Sequence, residues 1–321
     1  MTKPATPAQH ARIAGCGFLM GAADTVPGVS GGTVALILGV YQRLVTAISQ
    51  CNSQFAGLLL QRRWKDAAAH IDLPFVLALG VGILSGVAGL ASLMNYLLIN
   101  QMSLTFATFS GMILASSLLV SRRVRVWHIQ YYGMLLLGVL FALWLVTLPA
   151  MQNPPETLWY MFLCGTIGIT AMILPGISGA FILLLMNRYT FITESIRNTL
   201  KGQISLDVLL SLGVFAFGCA VGLLAFSRVL KWLLHRYHDG TMAILCGFMI
   251  GSLYKLWPFQ RDTTPDIEKF KHKQFAHYVP DGVDGHVISA IVLCLVGIGV
   301  VMALDAFSAD EPAGPTEGAA S

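Results

Sequence analysis

Charged residues are the scarcest component of this sequence. Of its 321 residues, 11% are Asp, Glu, Lys or Arg, whereas soluble proteins carry about 25%. Hydrophobic residues make up 55%, and the mean hydropathy is +0.70. This composition excludes an ordinary soluble domain and predicts an all-α polytopic membrane protein. The Lys and Arg residues form no dense block, so we expect no nucleic-acid partner.

Several functional signatures are also missing. The six cysteines show no Cys-x-x-Cys spacing, and all eight histidines fall in loops, termini or the ends of apolar segments. We therefore predict no metal site, no cofactor and no catalytic residue. The first residues lack the charged start and short apolar core of a signal peptide, so the first apolar segment is expected to be retained.

One motif occurs twice. Pro-Gly-x-Ser-Gly stands at Pro27–Gly31 and again at Pro175–Gly179, each time inside an apolar stretch. The register continues at one constant offset through Leu36 and Leu184 and through Tyr41 and Tyr189. Paired, Gly/Pro-interrupted hydrophobic segments in the two halves of a chain point to the substrate site of a transporter.

Six further apolar runs are long enough to span a bilayer, three after each motif segment. They cover residues 75–99, 104–120, 131–149, 208–230, 242–257 and 287–304. If each motif segment enters the membrane and returns to the same side, the basic loops near Arg62, Arg122 and Lys231 all fall inside. If each segment crosses once, the first two clusters fall outside. We therefore predict six transmembrane helices plus two re-entrant helical hairpins.

This topology makes the chain an inverted-topology repeat, because three spans per half is an odd number. The predicted organisation is a polar N-terminus (1–11), a first repeat (12–150), a second repeat (151–304, with an external loop at 258–285) and a disordered tail (305–321). Both termini are expected on the cytoplasmic side.

The motif loops are the predicted anion site. Proline ends one half-helix and glycine allows the chain to turn, so a second half-helix begins at membrane depth with unpaired N–H groups. Such an end attracts anions. The predicted phosphate-binding residues are Gly28, Ser30, Gly31, Gly32, Thr33, Gly176, Ser178 and Gly179. The alternative is that the loops only break and pack helices.

Three charged residues near the motifs carry further hypotheses. Asp24 is an isolated carboxylate whose counterpart in the second copy is Met172. It is a candidate for proton coupling, since intramembrane carboxylates often mark proton pathways; bracing of the loop N–H groups is the alternative. Arg43 and Arg188 are predicted to close the second half-helices and to capture an anionic headgroup. Simple snorkelling to the interface is an equal alternative.

The residues from Gly21 to Ala35, with Leu38-Gly39-Val40-Tyr41 and the second motif from Leu174 to Ala180, closely resemble bacterial polyprenyl-phosphate transporters. The resemblance covers about residues 12–303. It implies return of undecaprenyl phosphate, the lipid carrier of cell-wall precursors, from the outer to the inner leaflet of the bacterial cytoplasmic membrane. The second copy departs from the pattern, since Met186-Asn187-Arg188-Tyr189 replaces the Gly-x-Tyr ending of the first.

Two other functions stay open at this stage. A transporter for a small soluble anion would use the same loops but would need a polar pathway. A membrane lipid phosphatase would need a positioned nucleophile or base, which the sequence does not offer. The oligomeric state is open too, including a homo-oligomer.

Overall fold

The computed structural model describes residues 7–24, 30–202, 205–264 and 275–309. Within this part of the chain the protein forms fourteen α-helices and two short strands. The first half contains α1 (Pro7–Asp24), α2 (Gly31–Ile37), α3 (Tyr41–Ser49), α4 (Ser53–Leu60), α5 (Trp64–His70), α6 (Leu73–Asn100), α7 (Met102–Ser121) and α8 (Ile129–Thr147).

The second half follows a similar order but has no counterparts of α4 and α5 among the described residues. It contains α9 (Leu158–Ile173), α10 (Gly179–Leu185), α11 (Tyr189–Leu200), α12 (Leu206–Arg236), α13 (His238–Ser252) and α14 (Gly285–Ala309). Between α13 and α14, β1 (Gln260–Asp262) pairs antiparallel with β2 (Phe275–His277). The sequence did not predict this hairpin, nor the short helices α4 and α5.

Five of the described helices are long and apolar enough to cross a membrane: α6, α7, α8, α12 and α14. They correspond to five of the six predicted spans. The sixth, predicted at 242–257, is the 15-residue helix α13, which is short for a hydrocarbon core of about 30 Å. Most of α13 is buried against α7 and α8, so protein rather than lipid surrounds it. The bent pair α2 and α3 is a further candidate span.

Each motif segment breaks twice, although the sequence predicted one break. The first break follows α1 and α9, as expected from the prolines. The second separates α2 from α3, which are bent by 115°, and α10 from α11. Gly39 (φ +72°) and Asn187 (φ +51°) hold these second breaks in the left-handed region, where glycine is unstrained and asparagine is tolerated.

These second breaks correct one prediction and explain one departure from the motif. Arg43 and Arg188 do not close a continuous half-helix: Arg43 lies in the first turn of α3, and Arg188 precedes the first residue of α11. Asn187 occupies in the second copy the position that Gly39 occupies in the first. The two residue types therefore serve the same backbone turn.

The helices pack in matching pairs through glycine. A Cβ added at Gly82 of α6 would overlap the Ala14 carbonyl oxygen of α1, and one added at Gly86 would overlap the Phe18 carbonyl oxygen. In the second half, Gly218 and Gly222 of α12 approach the carbonyl oxygens of Phe162 and Thr166 of α9 in the same way. Because each contact advances four residues on both helices in the same sense, α1 runs parallel to α6, and α9 runs parallel to α12.

Two other extensive helix pairs link the halves. Helix α7 packs on α14, and α13 packs on α8. Gly111 of α7 lies against the Cys294 backbone, and Gly247 of α13 lies against the Leu135 backbone. Among the last three helices of each half (α6, α7 and α8; α12, α13 and α14), the third helix therefore packs on the second helix of the other half.

Some sequence predictions fall at the edge of the described residues. Helix α14 continues to Ala309, so the first residues of the segment predicted as a disordered tail are helical. Residues 310–321, residues 1–6 and part of the predicted external loop (265–274) lie outside the described part. Gly28, a predicted phosphate ligand, also lies outside it, with the rest of residues 25–29.

The left-handed turn at Gly39 gives a test of the second break. An added Cβ at Gly39 would meet nothing within 4 Å, so a substitution there changes only the backbone energy. Gly39→Val should lower the free energy of unfolding by about 1–2 kcal/mol. The matched control is Gly39→Asn, which reproduces the residue of the second copy and should unfold close to wild type. Thermal unfolding of detergent-purified protein measures both; equal midpoints for the two variants would contradict the prediction.

Candidate functional site

The first motif loop joins α1 to α2 and carries its own carboxylate. The Gly31 N–H donates to Asp24 Oδ1 at 2.7 Å, and the Gly32 N–H donates to Ser30 Oγ at 3.2 Å. A Cβ added at Gly31 would lie 2.6 Å from Asp24 Oδ2, so glycine is what makes room for the carboxylate. Asp24 therefore binds the N-terminus of α2, where a negative charge is favourable.

The second motif loop joins α9 to α10 and differs chemically. Gly176 takes a left-handed φ of +88°, and the N-cap residue Ser178 makes no capping hydrogen bond. Among the described residues, its half-buried hydroxyl has no hydrogen-bond partner. The residue corresponding to Asp24 is Met172, which is 41% exposed. Helix α10 therefore begins without the carboxylate that α2 has.

The two loops contact each other across the centre of the molecule. Ser30 Oγ lies 3.4 Å from the carbonyl oxygens of Met172 and Leu174, and the Gly176 N–H donates to Thr33 Oγ1 at 2.8 Å. Gly32 packs closely too, because an added Cβ would lie 2.9 Å from the Ile173 carbonyl oxygen. The residues predicted from sequence as two facing anion sites thus form one contact.

Tyr41 extends this contact, and sequence reasoning gave it no functional role. Its hydroxyl donates to the Ile173 carbonyl oxygen at 3.0 Å, although Tyr41 is 1% exposed. A Tyr hydroxyl inside an apolar segment needs a polar partner when it is buried, and this requirement could have drawn attention to Tyr41.

The hydroxyls of the first loop are already occupied in this conformation. Ser30 and Thr33 are each 2% exposed, and both bond to the opposite loop. Gly179 is also closely packed, because an added Cβ would lie 2.6 Å from the Gly168 carbonyl oxygen. A larger residue at Gly179 would therefore disturb helix packing as well as ligand approach.

An apolar cavity of about 210 Å³ adjoins the first loop. It lies between α1, α2, α6, α7 and α14, and its lining includes Ala23, Thr33, Met94, Phe109 and Val301. Nearly every lining side chain is apolar, so this space suits a hydrocarbon group rather than an ion. No group of three or more His, Cys, Asp or Glu side chains occurs among the described residues that could hold a metal ion.

The two predicted headgroup arginines have different surroundings. Arg43 pairs with Asp72 at 2.7 Å and lies over the Phe75 ring. Arg188 is 8% exposed and donates to the carbonyl oxygens of Pro154 and Pro155, at 3.3 and 2.7 Å. Its Nε is buried without a partner. Arg43 is thus neutralised by a carboxylate, and Arg188 ties the end of α10 to the segment before α9.

Comparison with known proteins agrees with these features. The sequence profile of the undecaprenyl phosphate translocase-like family matches residues 20–274. A polyprenyl-phosphate transporter of Vibrio cholerae is 38% identical over 244 residues, which cover 76% of each chain. A polyprenyl-phosphate transporter of Staphylococcus aureus is 31% identical over 257 residues, which cover 75% of this chain and 84% of the relative.

No solved structure matches this chain. The matched region contains both motif loops and all of the described helices from α2 to α13. The chain, a multi-pass membrane protein, belongs to the undecaprenyl phosphate translocase-like family.

Proposed function

We propose that this protein is a flippase that returns undecaprenyl phosphate from the outer to the inner leaflet of the bacterial cytoplasmic membrane. This step recycles the lipid carrier for cell-wall synthesis. The observation that carries the proposal is the direct contact between the two motif loops, whose polar groups are otherwise surrounded by apolar helices. The names of the two relatives support a polyprenyl phosphate as the substrate.

The phosphate headgroup binds between the loops when they separate. Ser30 now donates to the carbonyl oxygens of Met172 and Leu174, and the Gly176 N–H donates to Thr33 Oγ1. A phosphate oxygen can replace the acceptor in each of these bonds. Ser178 needs no such exchange, because its hydroxyl has no partner among the described residues. The predicted site therefore comprises Ser30–Thr33 and Gly176–Gly179, with Gly28 added from the sequence alone.

The polyprenyl tail requires no polar path. The apolar cavity beside Thr33 lies between helices that also face the lipid. Isoprenoid units can occupy such a space or remain in the bilayer while the headgroup moves between the loops. This arrangement favours a lipid substrate over a soluble anion, which would need a polar channel.

The helix directions support two re-entrant hairpins. Since α1 runs parallel to α6, the chain between them returns to the face where α1 began. Arg188, after α10, contacts Pro154 and Pro155, before α9, so the second motif segment also returns. Arg228 near the end of α12 donates to the Cys51 carbonyl oxygen after α3, at 2.7 Å. Two single crossings would place those residues on opposite faces of the membrane.

Three spans in each half then insert the second half upside down relative to the first. The matching glycine contacts of α1–α6 and α9–α12 support a duplication. The reciprocal packing of α8 on α13 and of α14 on α7 supports it too. With the basic loops inside, both termini face the cytoplasm. The segment 258–285, which carries the strand pair, faces outward.

Asp24 couples this cycle to protons in our proposal. A charged carboxylate about 4 Å from a phosphate would repel it by about 4 kcal/mol at an effective dielectric of 20. Arrival of the phosphate therefore favours proton uptake by Asp24. A neutral Asp24 holds the Gly31 N–H less strongly, which frees that amide for the phosphate. Release of the proton on the inner side would give the cycle its direction.

A liposome assay tests the function. We expect purified protein to move a fluorescent short-chain polyprenyl phosphate between leaflets, without releasing phosphate and without carrying inorganic phosphate across the membrane. Ser178→Ala should slow this movement and leave thermal stability unchanged, because the lost hydroxyl has no protein partner. Ser289→Ala, at the start of α14, is the control. Phosphate release would instead identify a phosphatase, and inorganic phosphate flux without lipid movement would identify an anion transporter.

Replacing Asp24 tests the coupling in the same vesicles. Asp24→Asn keeps an oxygen that can accept from the Gly31 N–H but cannot change charge, so transport should lose its dependence on an imposed proton gradient. Asp72→Asn removes the carboxylate that pairs with Arg43 and should keep that dependence. A gradient response of normal size in Asp24→Asn would leave Asp24 with a bracing role only.

A further inference from the structure

A second cavity, lined mainly by polar side chains, lies away from the motif loops. Its volume is about 480 Å³, and it forms where α3, the α7–α8 connection and the α12–α13 junction meet. Four basic side chains and two uncharged polar ones line it: Arg125, Lys231, His235, His238, Gln42 and Thr46. We call this the basic cavity. Its lining comes from both halves of the chain.

Among the described residues, the basic cavity has no acidic side chain in its lining to balance its basic residues. The adjacent Asp239 is already bonded to His238 at 3.1 Å and to the Arg125 backbone N–H at 3.3 Å. Lys231 and His235 stand four residues apart on α12, and neither has an ion pair with a carboxylate of the described residues. Two basic groups at this spacing destabilise a helix when both are charged, so a bound anion would stabilise the arrangement.

Helix α3 connects the basic cavity to the motif loops. Tyr41, its first residue, donates to the Ile173 carbonyl oxygen in the second loop. Val45 lies one turn further along α3 and lines the cavity. At 1.5 Å per residue the two positions are about 6 Å apart along the helix axis. The cavity therefore begins one helical turn from the contact between the loops.

The surroundings of the basic cavity resemble the headgroup region of a bilayer. Trp232 and Tyr237 flank the α12–α13 junction and are 57% and 54% exposed, with their rings in edge-to-face contact. Trp127 lies in the α7–α8 connection beside Tyr132. Aromatic residues of this kind gather at membrane interfaces, so a lipid headgroup can reach the cavity while its tail stays among the apolar helices.

We propose that the basic cavity is a second phosphate site, which holds the phosphomonoester headgroup of the substrate on the cytoplasmic side of the loops. Lys231 supplies a compact charge and Arg125 a forked donor, both of which suit phosphate oxygens. The inference rests on the proposed function, because it treats the site as the inner end of the same path.

Charge-matched variants of the full-length protein test this site. Arg125→Gln with Lys231→Gln removes two charges from the basic cavity. The control, Arg123→Gln with Arg236→Gln, removes two charges from exposed neighbours that do not line it. Binding of farnesyl phosphate and of inorganic phosphate is measured in nanodiscs, and lipid movement is measured in liposomes.

We expect the cavity variant to bind farnesyl phosphate about tenfold more weakly and to transport more slowly, since it loses charge-assisted hydrogen bonds, while the control stays within about twofold. Competition by inorganic phosphate would show that the site recognises the phosphate group itself. Its failure to compete would show that the lipid must deliver the headgroup. Equal binding and transport by the cavity variant and the control would overturn the inference. Absence of lipid movement by the wild type would instead overturn the proposed function.

Discussion

The backbone of a broken membrane helix must find hydrogen-bond partners where no water is present, and this constraint governs the centre of the molecule. Backbone groups of the second motif loop find their partners in side-chain hydroxyls of the first half, whereas the Gly31 and Gly32 N–H groups of the first loop bond to Asp24 and Ser30. Ser30 meets the carbonyl groups of the second loop, and Gly176 donates to Thr33. Glycine at position 32 permits this approach, because an added Cβ would lie 2.9 Å from the Ile173 carbonyl oxygen of the second loop.

The two loops are similar in backbone but unequal in charge, and the proposed transport cycle depends on that inequality. Asp24 already occupies the N-terminus of α2, whereas Met172 leaves α10 without an internal anion. The arginines differ in the same sense, because Arg43 has a carboxylate partner, whereas the partners of Arg188 among the described residues are backbone carbonyl groups and aromatic faces. In the proposed cycle, the second loop therefore receives the phosphate more readily, and access to the first loop depends on the state of Asp24.

The sequence predicted the parts of the fold that depend on local chemistry. Proline and glycine located the first break of each motif segment, and long apolar runs located α6, α7, α8, α12 and α14. The second breaks were missed because a single Gly39 or Asn187 inside a short apolar run is a weak signal for a left-handed turn. The short length of α13 was missed because hydropathy does not distinguish burial in protein from burial in lipid.

The sequence indicated the residues of the candidate site but not the hydrogen bonds between the two loops. Ser30, Thr33 and Gly176 were expected to bind an anion from facing sides. In this conformation Thr33 instead bonds to Gly176, and Ser30 bonds to carbonyl oxygens of the second loop. Such pairing depends on contacts between residues more than one hundred positions apart, which one sequence does not reveal. Tyr41 was missed for the same reason, since its partner is a backbone carbonyl group in the other half.

In the proposed topology, both motif segments return to the face from which they start. Labelling of single cysteines in intact cells with a membrane-impermeant reagent tests this directly, in a background without the native cysteines. Cysteines at Arg63 and Arg123 should be protected until the membrane is opened, whereas those at Asn153 and Asp281 should react from outside. External labelling at both position 63 and position 123 would contradict the re-entrant arrangement and with it the account of how the loops meet.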